Sequence, residues 1–189
     1  WGKNVGWDDQ AFGFEFARPG QYYLTLGWDQ TPHVFAKNAR TTFTASGNVL
    51  TSPTYPQAGV FPNATPDAAT QAFVNANSRT IDVKYRRDTA FAAFRWTPTD
   101  RWDINIDYSH MHREGTQPLN AMGFTLDGAS LRRTAIELPK PVDDTTQTGK
   151  VKGEYAGSTP WGKPFNIALG YGVSMYNTEF SSLTFNNPW

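Results

Sequence analysis

Three histidines and a few paired charges are the side chains here whose types and spacing could do chemistry. His110 and His112 stand two apart. On a strand that spacing puts both imidazoles on one face, where they could share a metal ion. No third ligand is apparent, so they read as a pair at a strand rim beside an aqueous loop. His33 follows Pro32 and reads as a loop histidine; it could ligate a metal or haem, but nothing pairs with it. Asp8-Asp9 and Asp143-Asp144 are adjacent carboxylates, and neighbouring strand residues point to opposite faces, which disfavours an acid/base pair. Arg86-Arg87 and Arg132-Arg133 suit solvated loops or rim contacts with lipid phosphate. Lys150, Lys152 and Glu154 alternate along one strand face and could touch a solute or a protein. The chain has no GxSxG, no P-loop and no GxGxxG after a strand. It has no cysteine, which removes disulfides, thiolate metal sites, cysteine nucleophiles and covalent c-type haem in this chain. No nucleophile–base or ligand set can be assembled, so an enzyme is the least supported class, and no catalytic, cofactor-binding or metal residue is assigned.

Composition narrows the remaining classes. The 189 residues carry 17 basic and 17 acidic side chains, so no basic excess points to nucleic acid. Aromatics make up 15%, with seven Trp, eight Tyr and thirteen Phe, as in interface girdles or a β-sandwich core. Mean hydropathy is −0.55, and no stretch approaches the roughly 18 apolar residues of a membrane helix. A low mean does not exclude a barrel, whose strands are only half apolar. The chain runs from Trp1-Gly2-Lys3-Asn4 to Asn187-Pro188-Trp189 and reads as a mature or truncated piece of a longer protein.

The elements that must position these residues are strands. Period-two alternation is cleanest over 102–112, where Trp102, Ile104, Ile106, Tyr108, His110 and His112 oppose Asp103, Asn105, Asp107, Ser109 and Met111. Over 166–176, Ile167, Leu169, Tyr171, Val173 and Met175 oppose Asn166, Ala168, Gly170, Gly172, Ser174 and Tyr176. Tyr22, Leu24, Leu26 and Trp28 alternate likewise, and Phe12, Phe14 and Phe16 oppose Gly13, Glu15 and Ala17. Weaker alternation covers 147–155, and 89–97 with Ala90, Ala92, Phe94 and Trp96 on one face. Short turns at 17–20, 97–100 and 157–164 join the strands in pairs. The connections 31–78 and 114–146 read as long loops rich in turn residues, with one or two helical turns at 67–75.

The apolar face of such strands must meet another sheet or lipid. Strands of about 9–12 residues match the barrel requirement of about 9–11, and Trp28, Trp96, Trp102, Tyr108, Tyr155 and Trp161 gather near strand ends, the depth that amphipathic rings prefer. The expected fold is all-β: an antiparallel transmembrane β-barrel segment of about six to eight strands, with short turns at one end and long loops at the other. Unpaired edges in lipid cost several kcal/mol per group, so residues 1–189 read as part of one larger outer-membrane barrel domain. A soluble β-sandwich that binds carbohydrate through exposed Trp and Tyr is the rival architecture.

The loops carry a resemblance. Gly20-Gln21-Tyr22-Tyr23-Leu24-Thr25-Leu26-Gly27-Trp28-Asp29-Gln30-Thr31-Pro32-His33, then Asn38-Ala39-Arg40-Thr41, resembles the strand-and-loop signature of the MtrB/PioB family of decahaem-associated outer-membrane barrels. Arg113-Glu114-Gly115-Thr116-Gln117-Pro118, Glu137-Leu138-Pro139-Lys140-Pro141-Val142-Asp143 and Ser182-Leu183-Thr184-Phe185-Asn186-Asn187-Pro188-Trp189 resemble further segments in matching order. Full family members are longer, and some carry a cysteine pair near the N-terminus that is not in this chain. The resemblance implies a bacterial outer-membrane barrel that sheathes a periplasmic, lumenal decahaem c-type cytochrome. It also implies lipid on the outside and, at the outer surface, a further multihaem cytochrome. The haem belongs to the partner and none to this chain, which is not itself redox-active. The lumen face is then the partner contact: Asp103, Asn105, Asp107 and Ser109; Lys150, Lys152 and Glu154; and Asn166, Gly170, Gly172 and Ser174. A general diffusion porin or substrate channel would use the same strand code.

Overall fold

A computed structural model describes residues 1–54, 68–127 and 130–187, with backbone alone for 68–70, 123–127 and 130–135. The elements in chain order are β1 (Gly2–Lys3), β2 (Ala11–Arg18), β3 (Tyr22–Thr41), β4 (Thr44–Ser46), β5 (Val49–Thr51), α1 (Ala68–Asn77), β6 (Arg79–Thr99), β7 (Trp102–Asp127), β8 (Ser130–Ser158), β9 (Pro164–Thr178) and β10 (Thr184–Phe185). Seven strands form one sheet in the order β1-β2-β3-β6-β7-β8-β9, and β10-β5-β4 form a second. Seven strands agree with the six to eight expected, and the pairs β2/β3, β6/β7 and β8/β9 are joined at the expected turns.

Each turn has a local cause. Pro19 and Gly20 occupy its centre in the first, where Gln21 N–H donates to the Arg18 carbonyl at 3.0 Å and Gly20 holds φ at 75°. Proline presets the first central residue and glycine supplies the positive φ that a type II turn needs. In the third turn the Lys163 carbonyl accepts from both the Thr159 N–H (2.8 Å) and its hydroxyl (3.1 Å), and Gly162 has φ 80°.

The chain divides into two compact units. Unit 1 comprises residues 1–32, 86–113 and 144–178. It is almost entirely sheet, and its strand portions at 86–99, 102–113, 144–158 and 164–178 have the length of a tilted membrane-spanning strand or slightly more. Unit 2 comprises 33–85, 114–143 and 179–189. It has a core of the kind found in water-soluble domains: Phe43, Leu50, Ile136 and Leu138 are buried, with Leu119, Ala121, Leu183 and Phe185 packed on them. The β4/β5 hairpin covers this core through a two-residue turn, Gly47-Asn48, with Gly47 at φ 58°. Asn186 closes the edge, accepting from Ser52 N–H and donating to the Ser52 carbonyl, both at 2.7 Å.

Much of what reads as loop is strand. Residues 31–41 belong to β3, and 114–127 and 130–146 prolong β7 and β8. Pro32, Pro139 and Pro141 misdirect the reading because the sheet is open on the side their missing N–H would face. Pairing of β2 with β3 ends at Ala11↔Asp29, so Pro32 interrupts no bond on that side. Asp143 offers its carbonyl to Glu179 N–H at 3.0 Å, just past the end of β9. Pro141 and Pro139 lie two and four residues earlier, so their missing donors face the same edge, beyond the end of β9. The helix runs over Ala68–Asn77, longer than the one or two turns expected, and residues 66 and 67 at its expected start lie outside the described residues.

Candidate functional site: the polar face of the sheet

Register assigns the faces of unit 1. In β2/β3, Phe12↔Trp28, Phe14↔Leu26 and Phe16↔Leu24 stand directly opposite, so these six side chains share one face. In β8/β9, Val151↔Tyr171, Tyr155↔Ile167 and Gly149↔Val173 do the same. This apolar face is exposed: Phe14 is 56% exposed, Leu169 75%, Tyr171 72% and Met175 59%. Its rings meet in pairs near the turns, Phe16 with Tyr22 (5.7 Å), Trp102 with Tyr155 (4.9 Å) and Tyr155 with Phe165 (5.9 Å). The apolar row over 165–175 runs about 34 Å at ~3.4 Å per residue. A strand tilt of about 45° reduces that to about 24 Å, the height of the apolar band of an outer-membrane barrel.

The other face carries most of the polar candidates. Lys150 stands opposite Gly172, Lys152 opposite Gly170, Asn166 opposite Ala156, and Ser174 opposite Thr148, with hydroxyls 3.2 Å apart. Asp107 and Ser109 line one small cavity with Thr148 and Lys150, which joins β7 to the same face. Asp103 lines another with Arg95, Glu154 and Asn166. Asn105 donates to Asp103 at 3.1 Å. All eleven expected contact residues therefore lie on this one face of unit 1.

Three ion pairs stand on this face. Arg95 makes a two-pronged bond to Asp103 (Nε–Oδ1 3.0 Å, Nη2–Oδ2 2.5 Å). Lys152 pairs with Glu154 along β8. Arg113 grips Asp144 with two bonds (2.8 and 2.7 Å), and the Tyr176 hydroxyl donates to the same carboxylate at 3.4 Å. Sequence reading placed Tyr176 on this face but missed Arg95, Arg113 and Asp144 as members of it, since their partners are on neighbouring strands. It also left Phe91 unassigned. The place a Cβ on Gly27 would take is occupied by the Phe91 ring, and that on Gly13 by the Trp1 indole. Gly13 and Gly27 are directly opposite and belong to the polar face, so both rings do too.

The remaining candidates separate. His110 and His112 stand two apart on β7, at positions that alternate with the polar face, near the end of its unit 1 portion. Among the described residues no group of three or more His, Cys, Asp and Glu comes together. His33 is not in a loop: it lies within β3, its ring 4.8 Å from that of Tyr85 in unit 2. Asp9 accepts from the Asn4 side chain at 2.7 Å, and Arg86 is paired with Asp88 at 2.9 Å. The side chains of Arg132 and Arg133 lie outside the described residues.

The arrangement is a sheet with an exposed apolar face and an opposite, hydrogen-bonding polar face that carries three ion pairs. A family model described as outer membrane beta-barrel porin, MtrB/PioB, matches residues 1–189. No curated protein matches the chain.

Proposed function

The chain belongs to the MtrB/PioB family of outer-membrane β-barrel porins, and on that premise we propose that its polar face lines a lumen occupied by a multihaem c-type cytochrome. In this reading the chain is a scaffold. Its apolar face excludes lipid, its polar face holds the cytochrome, and electrons cross the outer membrane between the partner's haems without passing through this chain. Further multihaem cytochrome at the outer surface would continue the route.

The observation that carries the reading is the pairing of charges on the polar face. A water-filled selective pore works by rings of charge presented to the passing ion. Here Arg95 meets Asp103, Lys152 meets Glu154 and Arg113 meets Asp144. Between them stand Gly170, Gly172, Ala156 and Ala168, which let a partner's backbone approach closely. Such a surface hydrogen-bonds a neighbour without attracting loose ions, as a sheath should. The contacts would come from Asp103, Asn105, Asp107, Ser109, Lys150, Lys152, Glu154, Asn166, Gly170, Gly172 and Ser174.

The test is purification of the full-length barrel from membranes in mild detergent, with haem absorbance measured per barrel. A stoichiometric cytochrome is expected, and a barrel that comes out without haem sinks the proposal. The family's description as a porin favours a second reading, an open diffusion channel. Swelling of liposomes by barrel prepared without any cytochrome would select it.

A further inference from the structure

We propose that Phe91, with Trp1 beside it, is an apolar docking platform for the protein that fills the lumen; this rests on the sheath reading and specifies where the partner is gripped. The exposed rings of the outer face need no explanation beyond lipid. Phe91 does, because it lies on the polar face, where it lines a small cavity with Asp107, Ser109, Thr148 and Lys150. It remains 38% exposed there, and Trp1 is 69% exposed.

The two rings lie over directly opposed glycines, Gly13 and Gly27. Each lacks a side chain, and each ring takes the vacated place on its own glycine. Filling a notch over glycine is a known way for aromatics to support a strand pair. That role uses the side of each ring turned to the backbone and leaves the rest of the ring to the lumen. An open aqueous lumen would hydrate that area, an unfavourable use of two large rings. A protein occupant would bury it.

The surroundings suit a protein better than a small solute. Interfaces between folded proteins have an apolar centre of aromatics within a polar rim. Ser109, Thr148, Asp107 and Lys150 supply such a rim around Phe91 and are continuous with the charge-paired surface on β7, β8 and β9. The partner patch that fits is therefore a cluster of apolar side chains bordered by uncharged or mixed-charge polar groups.

The experiment uses the full-length barrel with its native lumenal partner and compares wild type with Phe91→Tyr, Phe91→Ala and the double variant Phe91→Ala/Gly27→Ala. The double variant puts a methyl where the ring was, so the notch stays filled while the platform is gone. Barrel assembly is read as heat-modifiable mobility, and partner retention as haem per barrel through successive detergent washes. The expected result is assembled barrel in the double variant with loss of haem protein at least about tenfold faster than wild type, and near wild-type retention in Phe91→Tyr. An assembled double variant that keeps its haem protein at the wild-type rate overturns the platform and leaves the sheath standing. Wild type with no haem at all overturns the sheath, a distinct result.

Discussion

Leu169 and Leu138 are the same residue in two regions that treat it oppositely. Leu169, on β9 in unit 1, is 75% exposed; Leu138, on β8 in unit 2, is fully buried. Unit 1 exposes a row of apolar side chains on one face and pairs several of its charges on the other. Unit 2 gathers Phe43, Leu50, Ile136 and Leu138 inward, as a domain in water must. One chain therefore obeys two solvents. The lesson is that exposure of a leucine is informative only beside what its strand neighbours do: Ile167, Tyr171 and Val173, which alternate with Leu169, are exposed like it, whereas Ile136 and Val142, which alternate with Leu138, are buried like it.

The largest effect should separate the two leucines. Leu138→Ala removes buried methyl groups and leaves a cavity, with an expected loss of about 4 kcal/mol. Leu169→Ala exchanges one lipid-facing apolar side chain for a smaller one, with a loss of about 1 kcal/mol or less. Urea midpoints of the full-length barrel in detergent check both. Equal losses would break the comparison. A charge sharpens it further. Leu169→Arg should lose about 3 kcal/mol, since arginine on the lipid face near the midplane of a barrel costs about 2–4 kcal/mol. If Leu169→Arg assembles with an unchanged midpoint, the exposed apolar face does not meet lipid.

The same contrast explains what could be read from the sequence. Alternation is clean at 102–112 and 166–176 because there successive residues meet different media. Where β7 and β8 continue into unit 2, prolines are set into the pattern. Pro118, Pro139 and Pro141 then look like loop residues although they lie within strands. On the polar face, Lys150, Lys152 and Asn166 were legible as one set because period two is a local property. Arg95 and Phe91 were not. Arg95 is defined by Asp103 across a hairpin, and Phe91 by Gly27 on another strand. Nothing local marks either, since register is decided by the pairing of whole strands. Even so, Gly13 between Phe12 and Phe14, and Gly27 between Leu26 and Trp28, were a visible hint that a side chain from elsewhere would cover them.

Glycines provide a smaller test. Gly115 in unit 2 has φ 140°, and a Cβ there would collide with the Lys84 carbonyl and lie 2.7 Å from Tyr85 Cα. Gly115→Ala should cost about 2 kcal/mol through backbone strain and this clash. Gly153 in unit 1 has nothing within 4 Å of its would-be Cβ. Gly153→Ala should be neutral or slightly stabilising, by about 0.5 kcal/mol, because alanine restricts the unfolded chain. A large loss at Gly153 would mean that the outer face is packed against something other than fluid lipid.

The smallest effect concerns Arg95 and tests the other face. Its guanidinium is well exposed, and its bonds to Asp103 are short. Short geometry alone would suggest a strong bridge, but an exposed pair gains little, because water screens the attraction and solvates each partner when it is broken. Asp103 would also keep its bond from Asn105. Arg95→Gln should therefore leave the urea midpoint unchanged within error. It removes one charge from the polar face, so its expected consequence is a stronger salt dependence of partner retention, measured as haem per barrel across an ionic-strength series. A clear loss of stability would place Arg95 and Asp103 in a dry, low-dielectric setting, because only there does breaking one partner strand the other. In barrel freed of its partner, that outcome would exchange the media assigned to the two faces, and with them the whole contrast between Leu169 and Leu138.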